Sequence, residues 1–166
     1  MFGISPIGWL HTLGSLPALA AAIYMLARHG RIVPRSVLGT IYLLSMVLGG
    51  VTAFLVAKQP VSYAIGGLTL IVIFVGYVVD RLTFLGGLRR YIETASLSFS
   101  VLLLLLPTVT ETLTRVPDGA PFAPSPASPI VLGSHGALLL AFVLGLTAQI
   151  FALRRQSRRT AMIAPK

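Results

Sequence analysis

Residues 91–110 read "YIETASLSFSVLLLLLPTVT", and the fold turns on whether this stretch crosses a membrane. Its second half is a leucine run suited to hydrocarbon. Glu93 and the hydroxyls of Thr94, Ser96, Ser98 and Ser100 soften its beginning, and Pro107 sits close to its end. A full crossing makes it the fourth of five spans, whereas a re-entrant segment would put the chain before and after it on the same side.

Working outward, the neighbouring stretches are plainer. Residues 61–79 and 37–57 carry no charge, and each is near the roughly 20 residues that cross a hydrocarbon layer. They are separated by the "KQP" of Lys58 to Pro60. Residues 7–27 are also uncharged and are followed by "RHGRIVPR". A secretory signal peptide carries its positive charge ahead of a shorter apolar core, so this order predicts a retained helix. After residue 110 comes "ETLTRVPDGAPFAPSPASP" (111–129), whose five prolines predict an extended, partly disordered loop. A fifth span follows over 130–153, closed by the "RRQSRR" that opens a basic tail, 154–166. The expected architecture is all-α: one transmembrane bundle of five helices over 1–153, followed by the tail.

Charge placement favours the full crossing. Of the 13 Lys and Arg residues, five spans put Arg28, Arg31, Arg35, Arg81, Arg89, Arg90, Arg154, Arg155, Arg158, Arg159 and Lys166 on one side. Only Lys58 and Arg115 fall on the other. Retained loops are the basic ones, which predicts an N-terminus outside, a cytoplasmic C-terminus and a multi-pass protein of a bacterial inner membrane. The net charge of +9 is gathered at span ends, where it meets anionic lipid head groups. It does not form the continuous patch of a nucleic-acid binder.

Chemistry-bearing residues are few. With no cysteine there is no thiolate metal site, no covalent c-type haem and no cysteine nucleophile. No Ser-His-Asp set, HExxH element or glycine-rich phosphate cradle occurs, so the chain reads as lacking its own catalysis. His11, in "LHTLGSLPAL", lies about one turn inside the first span, and His135, in "LGSHGALL", about one turn inside the fifth. Odd-numbered spans run the same way, so both imidazoles fall at similar depth. This is the arrangement that axial ligation of a b-type haem requires. Against it, helical projection groups His135 with Leu139, Phe142, Leu146 and Gln149, away from the small-residue row of its own helix. His29 reads as a partner of the first helix's C-terminus or of lipid phosphate. Asp80 is expected to pair with Arg81, and Glu93 with Arg89 and Arg90 one turn away. Glu111 and Asp118 are expected to face water. Pro17 and Pro107 are expected to kink their helices.

Small residues predict where helices meet, because apolar lipid gives no hydrophobic drive for association and close backbone approach replaces it. Gly14, Ser15, Ala18 and Ala22 share a face of the first helix. Gly133, Ala137, Ala141 and Gly145 recur every four residues on the fifth. Gly49 with Gly50, and Gly66 with Gly67, serve the second and third.

The stretch from His11 to Phe54 resembles an uncharacterised family of bacterial integral-membrane proteins, loosely likened to cytochrome b561-type bundles. Its pattern is a first-helix histidine, a basic loop, and an H-R-x-x-G-x-x-Y element opening the second helix. Here "PRSVLGTIY" supplies Arg35, Gly39 and Tyr42, with three residues in place of two between the arginine and the glycine and Pro34 in place of the second histidine. The resemblance implies the helical fold more than an activity. Three functional expectations follow. The first is a membrane accessory or interaction protein, with a membrane-protein partner or a homo-oligomer. The second is a single b-type haem or quinone-linked redox protein using His11 and His135. The third is a small-solute carrier using the proline-kinked helices.

Overall fold

A computed structural model describes residues 5–57 and 59–163, with side chains described as far as Arg158. Lys58, Lys166 and the side chain of Arg159, all used above to assign sidedness, lie outside the described residues. All regular structure among the described residues is helical, without strands. Its five long helices are α1 (Pro6–His29), α2 (Val37–Val56), α3 (Pro60–Val78), α4 (Leu88–Arg115) and α5 (Pro129–Ile163). Each is long and apolar enough to cross a membrane, and helices suit that solvent because every backbone group is bonded within its own segment.

Local chemistry sets the ends. The Ser5 hydroxyl accepts from the Gly8 amide with Pro6 in the first turn, and Gly30 closes α1 in the left-handed region at φ 67°. Ser36 caps α2 through the Gly39 amide. Two short 3₁₀ turns, Val79–Arg81 and Thr83–Leu85, carry the chain from α3 to α4.

Residues 91–110 form one uninterrupted helix with additional turns at both ends, and Pro107 lies within it. The "ETLTR" expected to begin the loop is the last turn of α4, tied by a Glu111–Arg115 pair at i,i+4. The loop is correspondingly shorter and is folded back. The Ala123 amide donates to the Leu113 carbonyl at 2.9 Å, and Ala123 is fully buried. The basic tail does not form a separate region, since α5 runs through it to Ile163.

Successive helices pack against one another, and a lighter α1–α4 contact closes the first four into a bundle. Its core joins Ala18, Ala21, Ala22 and Met25 of α1, Tyr42 and Met46 of α2, Ile73 of α3, and Leu97, Val101 and Leu104 of α4. Glycines permit the approach. A Cβ at Gly50 would stand 2.7 Å from Leu70, and one at Gly76 only 2.6 Å from Leu97. No residue of α5 enters this core. Half of the most apolar stretch of α4 is buried, against 6% for α5, so α4 is the hub and α5 a fifth helix leaning on it from outside.

Candidate functional site

Three arrangements place the candidate residues: two histidine–threonine pairs, an ion network at the arginine-rich end of the bundle, and the outward face of α5.

His11 is half-buried, and its Nδ1 lies 2.9 Å from the Thr52 hydroxyl on α2. Thr52 in turn donates to the Leu48 carbonyl at 2.6 Å. A hydroxyl has one proton to give, so His11 Nδ1–H is the donor. The arrangement repeats between α4 and α5. His135 Nε2 lies 2.9 Å from the Thr110 hydroxyl and 3.2 Å from the Leu106 carbonyl, both on α4. Thr110 donates to that same carbonyl, which makes His135 Nε2–H the donor. The two imidazoles therefore address different helices through different nitrogens, and no hydrogen bond joins them. Among the described residues no group of three His, Asp or Glu is placed to hold a metal ion.

The ion network differs from the local pairing expected above. Arg35, in the α1–α2 turn, forks between two carboxylates: NH1 lies 3.0 Å from Glu93 Oε2 and NH2 lies 3.1 Å from Asp80 Oδ2. Arg89 approaches Asp80 at 3.7 Å and donates to its backbone carbonyl, while Arg31 stands 3.9 Å from Glu93. Asp80 thus pairs with Arg35 and Arg89 in place of Arg81. Glu93 pairs with Arg35 and Arg31 in place of Arg89 and Arg90. The physical reason is direction. The Glu93 side chain is only 10% exposed and points between helices, within reach of a planar guanidinium that serves two carboxylates at once. Arg90 points outward.

Above this network, buried hydroxyls align the helices. Fully buried Tyr42 bonds Ser100 at 2.8 Å. Ser100 donates to the Leu97 carbonyl, so the tyrosine is the donor. Tyr77 donates to the Gly39 carbonyl. A Cβ at Gly39 would meet the Val33 and Pro34 carbonyl oxygens at 2.2 and 2.5 Å. Arg35, Gly39 and Tyr42, which carried the family resemblance, thus act in this chain as an ion fork, a close approach and an interhelical donor. The Thr94 hydroxyl is the one buried side-chain polar atom without a partner among the described residues.

The small residues divide. Ala18 and Ala22 are buried in the core, and a Cβ at Gly14 would meet Leu48 at 2.5 Å. On α5 the face bearing His135, Phe142 and Gln149 turns to the bundle: Phe142 rests on Phe99, and Ser98 donates to the Gln149 side chain at 2.6 Å. Gly133, Ala137, Ala141 and Gly145 are all exposed. Neither glycine has a neighbouring atom within 4 Å of the Cβ it would carry, while Ala137 borders a shallow groove against Thr108, Val109 and Thr112 of α4. The bonds of Thr52, Thr110, Ser98 and Arg35 were not anticipated. Only Gln149 had a usable signal, its position on the His135 face.

In comparison with known proteins, no family model matches the chain, and no curated protein or solved structure matches it at a significant level.

Proposed function

We propose that the protein is a non-catalytic accessory subunit of a bacterial inner membrane, its N-terminus outside, which binds another membrane protein through the outward row of α5. The observation that carries this reading is that row itself. Gly133, Ala137, Ala141 and Gly145 form a close-approach surface of the type that joins helices in lipid, and all four are exposed. Exposed Leu140 and Leu144 give the row apolar flanks. Around the histidines and carboxylates the polar groups are already matched to threonines, carbonyls and arginines. That supports structural roles for them and a function by association.

The test is the mass of the complex extracted from native membranes in a mild detergent, with and without Ala141→Leu. The expected result is a species well above the 17.6 kDa chain, reduced to the single chain by A141L with its helical content intact. A wild-type protein that extracts alone, or an A141L complex of unchanged mass, contradicts the reading.

A further inference from the structure

Two threonines of the bundle show how its hydroxyls are used. Thr52 and Thr110 each donate their proton to the carbonyl four residues back, on Leu48 and Leu106, and each accepts an imidazole N–H on the same oxygen. Three further hydroxyls are in this state without the second bond. Thr108 donates to the Leu104 carbonyl, Thr112 to that of Thr108, and Ser134 to that of Ile130, each at 2.7 Å. Among the described residues no donor reaches any of the three oxygens. With its proton committed, a hydroxyl offers a ligand only its lone pairs. These three residues line one shallow groove of about 410 Å³ between α4 and α5, whose apolar part includes Val109, Ala137 and Leu138. The hydroxyls lie roughly 5–10 Å inside the helix ends at 1.5 Å per residue, beside the loop that joins α4 to α5, at the level where a bilayer passes from head groups to hydrocarbon. One turn beyond Thr112, Arg115 continues the face of Thr108 and Thr112 and is paired with Glu111.

We infer that this groove binds a zwitterionic phospholipid through the N–H donors of its head group, the primary ammonium of a phosphatidylethanolamine. Hydrogen-bond and charge complementarity select the ligand. Acceptors without donors suit a group that has N–H bonds to give and needs none in return, and a primary ammonium has three. The trimethylammonium of phosphatidylcholine carries the same charge and has none. The paired Glu111 and Arg115 add no net charge beside the groove, which suits a neutral head group over an anionic one. Depth selects a lipid over a soluble amine, because Leu138 lies one turn further into α5 than Ser134 and gives an acyl chain an apolar surface below the head group. Of the small-residue row on α5 only Ala137 borders the groove, so this inference stands apart from the partner proposed for that row.

Native mass spectrometry of the purified full chain in detergent, titrated with phosphatidylethanolamine and its mono-, di- and trimethylated forms on identical acyl chains, tests it. The expected result is saturable binding of one phosphatidylethanolamine per chain, weaker with each added methyl group and lost with phosphatidylcholine, the trimethylated form. T108V/T112V and S134A should weaken that binding by about threefold for each hydroxyl removed. Thr147→Val removes a hydroxyl bonded in the same way to the Val143 carbonyl but outside the groove, and should leave binding unchanged. Should T108V/T112V fail to fold, S134A on the other wall carries the test. Equal affinity for phosphatidylethanolamine and phosphatidylcholine would mean that the groove reads acyl chains alone, and would overturn the proposal. Full binding by the folded groove variants, or an equal loss in T147V, would overturn it as well. So would displacement by equimolar ethanolamine, which would make the ligand a soluble amine, and so would a single chain that binds no lipid, which would leave the groove to a partner helix.

Discussion

At Gly39 a single hydrogen separates a packed turn from a clash. The first turn of α2 lies against the backbone carbonyls of Val33 and Pro34, and backbone cannot step aside as the end of a flexible side chain can. Gly39→Ala is expected to destabilise the folded bundle by about 1–3 kcal/mol, measured as a lower thermal midpoint in detergent. Arg35 is the second sensitive residue, because its removal strips the buried Glu93 of its closest countercharge. Arg35→Ala should cost about 1–3 kcal/mol, whereas Arg90→Ala, at an outward position, should stay within about 0.5 kcal/mol. The histidine partners are milder, since interhelical hydrogen bonds in membranes average about 0.6 kcal/mol. Thr110→Val is expected to lower stability by about that amount. These residue-scale bonds were the least legible part of the sequence. Arg35 and Glu93 lie 58 residues apart, and the arginines nearest to Glu93 in sequence were the natural but wrong partners. His11 and His135 stood out as intramembrane histidines, but which neighbour each addresses depends on helix rotation, which neither composition nor spacing specifies.

At the scale of elements, the apolar cores of all five helices were legible because hydrocarbon thickness imposes a length on them. The spans read over 37–57 and 61–79 become Val37–Val56 and Pro60–Val78. The ends of α4 and α5 were not legible, since hydropathy reports where lipid stops and not where hydrogen bonding stops. Polar turns such as Glu111 to Arg115 and the arginine-bearing end of α5 continue the helix through local pairing and propensity. Two rows of small residues also looked alike in sequence yet have different surroundings. Ala18 sits at 0% exposure in the α1–α4 core, while Ala141 faces out. Ala18→Leu is expected to overpack the core and cost about 1–3 kcal/mol. Ala141→Leu should leave the stability of the single chain within about 0.5 kcal/mol while removing its association. Unfolding and complex mass, measured on both variants, separate the two roles.

The whole molecule is a four-helix bundle closed by α1 and α4, with α5 laid outside and fastened by His135 near one end and Gln149 toward the other. Its proposed orientation places the loop of Pro124 and Pro126 on the outer, periplasmic face of the membrane. A single cysteine introduced at Ala127 should be labelled by a membrane-impermeant maleimide on intact cells, and one at Ser157 only after lysis. The absence of native cysteines makes both readings clean. The central claim, that α5 offers its small-residue row to a partner, is tested most directly by spin labels placed singly along residues 132–146 in native membranes, with collision rates measured against dissolved oxygen. Minima are expected at Gly133, Ala137, Ala141 and Gly145, low rates also at the bundle-facing His135 and Phe142, and maxima at exposed Leu132 and Val143, as at lipid-facing Leu44 on α2, which is 64% exposed. Oxygen collisions at the four row positions as frequent as at Leu44 would mean that lipid covers the row, and would contradict the account.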